Sequence, residues 1–220
     1  MPRADDLKPS AEDRAQAEAL FGDFVSCETR ERLKQFVHLL LTRQHQTNLI
    51  ASSTIPHVWT RHVADSLQLV ALAPQARRWI DLGSGGGFPG LVIACVLASD
   101  RDAEIHLVES IQKKAAFLRA AASELSLPAI VHAMRIEDFV RANTEPFDVV
   151  TARALAPLDR LIGYAIPLLK RGAVGLFPKG QDVEAELTQA AKSWSIEADL
   201  VSSRTDPRGR IVRIRRAAKK

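Results

Sequence analysis

Two cysteines, Cys27 and Cys95, in 220 residues exclude a disulfide framework and a thiolate metal cluster. Cys95 lies in the apolar run LVIACVLA, where a thiol serves as a small core residue, and Cys27 ends a predicted helix. No set of side chains has metal-ligand spacing, so no metal is expected. Aromatic residues are also sparse: eight Phe, three Trp and one Tyr are too few for an extended base-stacking platform. No apolar run approaches the roughly 20 residues of a membrane span. The longest, Leu91 to Ala98, has the length of a core helix. The opening MPRADDLKPS lacks the basic, apolar, small-residue order of a signal peptide. A cytoplasmic protein with no membrane contact is therefore expected, and a monomer, since no exposed apolar seam is visible.

What is present is ordinary globular composition, 46% hydrophobic and 25% charged, in a chain long enough to bury one core. The charge is unevenly spread. Residues 204–220 hold eight Lys/Arg against Asp206 alone, +7, so the overall +4 leaves about −3 for the rest. A basic tail on a near-neutral body suits a polyanion, or merely a solvated terminus.

The periodicity changes once along the chain. Residues 1–9 are polar and read as loose. Ser10 with Asp13 predicts a capping box opening a helix over 10–26. A second helix is expected from Thr29 to about 45, and a third over 54–72, capped by Thr54, with Val58, Trp59, Val63, Leu67 and Val70 on its apolar face. From Trp79 onward short apolar strands alternate with helices. Strands are expected at 79–82, 104–109, 129–132, 147–151 and 173–177. Helices are expected at 88–98, 111–126, 136–142, 157–169 (interrupted near Pro167) and 181–194. This order predicts an α/β fold with a parallel sheet covered on both faces. Two final strands, 196–203 and 210–216, flank the turn residues Asp206-Pro-Arg-Gly209 and predict an antiparallel C-terminal hairpin. The domain reading is an N-terminal helical extension, 1–75, followed by a sheet-containing core with the basic tail, 76–220.

The sharpest motif is Asp81-Leu-Gly-Ser-Gly-Gly-Gly-Phe-Pro-Gly90, placed where the first parallel strand meets its helix. Ligands bind at such strand ends, and glycine lets the backbone approach them closely. Gly85, Gly87 and Gly90 satisfy the dinucleotide pattern G-x-G-x-x-G. Asp81, Gly83, Gly85 and Gly87 satisfy D-x-G-x-G-x-G, which resembles the first motif of Rossmann-like methyltransferases. Pro89 offers no N–H to a pyrophosphate at the helix start, and Asp81 would repel one. An acid there suits a cationic ligand such as S-adenosylmethionine. Glu109, at the end of the second strand, is placed to accept from both hydroxyls of a ribose, or to cap the next helix. Backbone groups of Ile136 are placed for an adenine edge, and Glu137 for the same pocket or the helix macrodipole.

Further motifs accompany this loop: VES-x-x-KK-x-x-FL from Val108, RIEDF from Arg135, TARALAPL from Thr151 and Lys179-Gly180. Upstream stand Asn48-Leu-Ile and Trp59 with Arg61-His62 and Asp65-Ser-Leu67. Together these resemble the RsmG (GidB) family over about 45–181. The resemblance implies a Rossmann-like, S-adenosylmethionine-dependent methyltransferase fold, mostly parallel with an antiparallel C-terminal strand and an N-terminal helical extension. It implies methylation of N7 of guanine 527 in the 530 loop of 16S rRNA, with 16S rRNA or the small ribosomal subunit as partner. The cofactor set it implies is Gly83, Phe88, Ile136, Glu137 and Arg153, to which the loop and strand-end readings add Asp81, Ser84, Gly85, Gly87 and Glu109. The family tolerates several small residues or proline where Gly86 stands.

N7 of guanine carries a lone pair and no proton, so in-line transfer needs positioning and no general base. Arg153 is the candidate positioning residue, through the cofactor carboxylate or guanine O6, with a structural ion pair as the alternative. Lys179 is placed to reach RNA phosphate or the target base, or to be a solvated loop lysine. His62, Asp65 and Ser66 share a helical face that either roofs the site or stitches the helical extension to the sheet. In the last strand, Arg210, Arg213, Arg215 and Arg216 are the candidate RNA contacts, standing beside the crevice. Rival readings are a small-molecule methyltransferase, an NAD-dependent oxidoreductase and a non-catalytic RNA-binding module.

Overall fold

Strand β1 (Arg78–Leu82) runs through the centre of the molecule and is buried along all but its first residue. It pairs in parallel with β2 (Glu104–Val108) on one side and β4 (Val149–Thr151) on the other. The computed structural model, which describes residues 8–220, gives a seven-stranded sheet in the order β3-β2-β1-β4-β5-β7-β6. β3 spans Ala129–His132, β5 Val174–Lys179, β6 Trp194–Ser202 and β7 Arg210–Lys219. β1 to β5 are parallel, and β7 lies antiparallel to both β5 and β6. The order reverses between β1 and β4, which opens a crevice at their carboxyl ends. The basic tail is therefore an interior strand: β7 fills the space between β5 and β6. The reading of residues 1–9 as loose falls largely outside the described residues.

Alternation along the strands feeds two cores. Trp79, Ile105 and Leu107 face one layer, with α4 (Gly90–Leu97), α5 (Gln112–Glu124) and the N-terminal helices. Ile80, Leu82, Val150 and Phe177 face the other, with α6 (Ile136–Ala142), α7 (Leu158–Leu169) and α8 (Val183–Ala190). Cys95 is fully buried in α4, and burial pushes its thiol up to about 12. Among the described residues no helix is long and apolar enough to cross a membrane.

Several local expectations are corrected. The first helix, α1 (Ala11–Phe21), is shorter than the expected 10–26 and yields to a 3-10 turn over Gly22–Phe24. α2 (Cys27–Gln44) starts two residues before Thr29, because Ser26 Oγ accepts from the Thr29 amide; Cys27 thus opens a helix. The 54–72 segment is three pieces: a 3-10 helix over Ser52–His57, a π-helical stretch over Trp59–Ala64 and α3 (Asp65–Leu72). Pro56 has no N–H for a ladder, and Asp13 captures the next amides. Its carboxylate accepts from Trp59 N (2.8 Å), Thr60 N (3.2 Å) and the Thr60 hydroxyl. Half of the capping box forms: Ser10 Oγ accepts from Asp13 N, but the Asp13 side chain serves these distant amides instead. α7 continues through Pro167. α8 ends at Ala190 because Trp194, bonded through Nε1 to Asp159 O, already begins β6.

Asp13 is 4% exposed, so removing its carboxylate leaves two amides and a hydroxyl without acceptors. Asp13→Ala is expected to lower unfolding stability by about 3 kcal/mol, read as a fall in the urea midpoint at unchanged m-value.

Candidate active site

The glycine loop after β1 spends its amides on protein acceptors. Gly83 N and Ser84 N donate to Val108 O, Gly87 N donates to Ser84 O, and Gly85 N donates to Glu109 Oε2 at 2.9 Å. Gly90 N, the first of α4, donates to Asp81 Oδ2 at 3.2 Å. A pyrophosphate finds few free donors here, which counts against the dinucleotide reading. Geometry requires glycine at several of these positions, as two of them show. Gly83 has φ +72°, and a Cβ on it would lie 2.7 Å from Leu155 Cδ1. A Cβ on Gly86 would lie 2.8 Å from Leu49 O, so in this chain a larger residue there would need the backbone at Leu49 to shift.

Asp81 does a different job from the one its position suggests. Its carboxylate is 1% exposed and turned under the loop, accepting from Thr151 Oγ1 at 3.0 Å as well as from Gly90 N. Burial pushes it up to about 6, against the pull of these donors. It ties β1, β4 and α4 together and stands off the cavity wall. Glu109 is 6% exposed, with Oε1 accepting from Ile111 N at 2.7 Å and Oε2 from Gly85 N. It braces the loop from behind, leaving one lone pair on each oxygen. Ile136 and Glu137 open α6 farther out. The Glu137 carboxyl is held below its usual range chiefly by its own backbone N–H at that helix start.

A cavity of about 1160 Å³ lies over these strand ends. Of the residues singled out from sequence, Gly83, Ser84, Gly85, Phe88, Arg153, Lys179 and Arg210 line it; Asp81, Gly87, Glu109, Ile136 and Glu137 do not. The N-terminal helices supply one wall through Arg61, His62 and Asp65. The β6–β7 turn supplies another through Ser203, Thr205 and Asp206 to Arg210.

Arg153 joins these walls. Its guanidinium donates to Arg61 O at 2.8 Å and to His62 Nδ1, stands 3.5 Å from Asp65 Oδ2, and lies 5.4 Å from the Phe88 ring centroid. Asp65 Oδ1 in turn accepts from Thr205 Oγ1 (3.0 Å) and Gln68 Nε2 (2.8 Å). Gln68 takes the amide of Arg204. Burial raises Asp65 and lowers Arg153 despite their pairing, so desolvation outweighs attraction at both groups. His62 stacks on Phe88 with centroids 4.9 Å apart. Burial, then the charges of Arg153 and Arg61, push it down to about 3. The ring is neutral near pH 7. Since Arg153 has only protons to give, Nε2 carries the imidazole hydrogen and donates to Thr54 Oγ1 at 2.8 Å. Ser66 turns away, donating to His62 O within the helix. The face therefore both roofs the cavity and stitches the helices to the sheet.

Lys179 is not a solvated loop lysine. Its Nζ donates to Ala156 O (2.8 Å) and to Glu186 Oε2 (2.7 Å), and its side chain is 11% exposed. Among the strand arginines, Arg210 alone lines the cavity. Arg213 and Arg215 share the carboxylate of Asp199, at 2.6 and 2.9 Å, out on the hairpin, and Arg216 is exposed there. The expectation that these arginines stand beside the crevice is thus corrected to Arg210; the Asp199 carboxylate on β6 holds Arg213 and Arg215, and Arg216 lies farther along β7. Sequence reading missed Glu186, Leu155 and the turn residues Ser203, Thr205 and Arg208. Leu155 stood unremarked inside the TARALAPL motif and Glu186 in a helix without one; for the turn residues the only signal was turn chemistry at 206–209, which says nothing of where the turn packs. Among the described residues no three metal-capable side chains cluster.

Residues 29–208 match the model of the family described as rRNA small subunit methyltransferase G. Proteins named ribosomal RNA small subunit methyltransferase G are similar along nearly the whole chain. That of Bradyrhizobium sp. strain BTAi1 is 59% identical over 207 residues, 94% of this chain and 92% of that protein. Those of Nitrobacter hamburgensis and Parvibaculum lavamentivorans are 57% and 50% identical, covering 98% and 87% of this chain and 82% and 84% of theirs. Among solved structures, the O-methyltransferase TomG from Streptomyces achromogenes, in complex with SAM, has a TM-score of 0.60 at 16% identity, covering 97% of this chain and 99% of TomG. An O-methyltransferase from Bacillus cereus in complex with SAH has a TM-score of 0.58 at 18% identity, covering 82% and 90%. The last two are likenesses of fold.

The state of His62 has a measurable consequence. An unfolded histidine titrates near 6.5 and this one near 3, so the native state binds fewer protons between those values. Stability from this group is full above 6.5 and is lost as the pH falls toward 3. His62→Gln is expected to be less stable than wild type at about pH 8, with the gap narrowing toward about pH 4 in paired urea titrations. A gap independent of pH would show an ordinary histidine.

Proposed function

The chain belongs to the rRNA small subunit methyltransferase G family, and on that premise we propose that it transfers a methyl group from S-adenosylmethionine to N7 of guanine 527 in the 530 loop of 16S rRNA. The observation that carries the reading is the continuity of the cavity. It runs from the glycine loop, past Arg153, to Lys179 and the arginines of the β6–β7 turn, so one space holds a nucleoside cofactor and a polyanionic acceptor.

The residues present fit the cofactor. Gly83 and Gly85 both have positive φ and form a cradle that a Cβ would fill at Gly83. Glu109 stands behind the cavity wall, where it fixes the Gly85 backbone and keeps a free lone pair on each oxygen at the end of β2, the place of ribose acceptors in such sheets. Arg153, anchored to the helices by Arg61 O, His62 and Asp65, is a fixed cation for a carboxylate. S-adenosylmethionine, when bound, supplies an electrophilic methyl group on a positively charged sulfur. The chain's own residues position the acceptor and keep water out. N7 has no proton to lose, so no base is required, and neutral His62 serves as a rigid support. Arg210 and Arg208 on the turn, with Lys114 across the cavity, are the phosphate contacts beside it. Arg216 remains an outer contact, while Arg213 and Arg215 share the one carboxylate of Asp199, which offsets one of their two charges.

The test is transfer of labelled methyl from S-adenosylmethionine to undermodified 16S rRNA and 30S particles, with 23S rRNA and tRNA as controls and nucleoside analysis of the product. N7-methylguanine in the small-subunit samples alone is expected. Tight cofactor binding without transfer to RNA would instead favour a small-molecule acceptor. Deleting residues 210–220 does not separate the two readings, because β7 is an interior strand. Gly83→Val is expected to abolish S-adenosylmethionine binding by calorimetry while the chain stays folded, since the branched side chain meets Leu155 and disfavours φ +72°. Unchanged affinity would remove the loop from the site.

A further inference from the structure

We propose that Lys179 and Glu186 form the subsite that recognises the target base, reading O6 and N1–H of a purine whose N7 points away from them. The assignment rests on the proposed function and names how that site selects its base.

Both residues line the cavity, Lys179 from the end of β5 and Glu186 from α8. They contact each other at 2.7 Å, and each is already half used. Two Nζ hydrogens of Lys179 go to Ala156 O and Glu186 Oε2. An ammonium has three, so one is left. Glu186 Oε2 also accepts from Leu158 N at 2.7 Å, at the start of α7, while Oε1 takes no hydrogen bond from the described residues. The wall therefore presents one donor beside one acceptor, both immobilised by partners that no ligand needs to displace. A pair with zero net charge at this point contrasts with the cationic turn at the cavity rim, which fits a base more than a phosphate.

A donor beside an acceptor is a base-reading element. Guanine presents O6, an acceptor, next to N1–H, a donor. Adenine presents the reverse, an amino donor next to the N1 lone pair. If N7 is to face the methyl donor, the edge left for the protein is the one that carries N1. The Lys179 hydrogen then meets O6 and Glu186 Oε1 meets N1–H, whereas adenine would set donor against donor and acceptor against acceptor. A site built on such bonds rejects the wrong base because its own polar groups are left unpaired.

Glu186→Gln tests this with a forced geometry. Lys179 Nζ and Leu158 N both require an oxygen, so the amide NH2 must take the place of Oε1 and face the cavity as a donor. Subunits assembled on ligated 16S RNA would carry guanosine or 2-aminopurine riboside at the target position. 2-Aminopurine keeps N7 and the 2-amino group but has neither O6 nor N1–H. Comparing the ratio of kcat/KM for the two bases between enzymes cancels their intrinsic N7 reactivity. The expected result is a guanosine/2-aminopurine ratio at least about tenfold lower in Glu186→Gln than in wild type, with unchanged affinity for S-adenosylmethionine. Lys179→Met, which removes the donor to O6, is expected to lower the same ratio and stands as the second variant should Glu186→Gln not fold. A merely structural pair would depress both bases equally. A ratio unchanged in these variants overturns the assignment while leaving the proposed function intact. No transfer to guanosine by the wild-type chain removes both.

Discussion

Three separate stretches of chain meet at one buried ion pair. Asp65 belongs to the N-terminal helices, Arg153 to the end of β4, and Thr205, on the Asp65 carboxylate, to the β6–β7 turn. Each group is unfavourable to bury alone, and desolvation dominates at both charges even though they are paired. Removing one partner of such a pair strands the other, which typically costs about 3–5 kcal/mol. The walls of the cavity are thereby held in one register. The glycine loop, the helical roof and the cationic turn are local structures, but their spacing is set at Asp65 and Arg153. In a reaction that depends on alignment of acceptor, methyl carbon and sulfur, that spacing is what the protein contributes.

The parts legible in the sequence were those decided within a few residues of themselves. Apolar strands alternating with helices, the turn at 206–209 and the glycine loop after β1 carry their causes locally, in periodicity and in backbone freedom. The loop's neighbours were legible only as types. Asp81 was visible as an acid at a strand end, but whether such a carboxylate faces a ligand or the underside of its own loop depends on Thr151 and Gly90, and the latter's N–H was already waiting for it. The carboxylate of Asp81 lies beneath the loop, while the loop itself lies on the cavity.

What could not be read came from contacts long in sequence. Asp13 breaks the 54–72 helix from more than forty residues away. Arg213 and Arg215 lost their place at the crevice to a single acid, Asp199, on the partner strand. Glu186, partner of Lys179, sits on a helix in which the sequence marks no motif. His62 gave no sign in sequence of its neutrality, which follows from burial beside two arginines. Charge and spacing identified the ingredients of a polyanion-binding site, and long-range pairing decided which of them were spent on the fold.

The strand order carries a consequence for how the molecule is made. β7 lies between β5 and β6, so β6 emerges from synthesis before the one strand that joins it to the sheet. Vectorial folding can complete the parallel core strand by strand, but it must pause with β6 unpaired until residues 210–219 arrive and insert. The turn that walls the cavity and the arginines that face it are therefore set last. A nascent chain can bury its core well before it can grip an acceptor, and a product broken off before β7 would retain a glycine loop yet offer an open sheet edge for other strands to join.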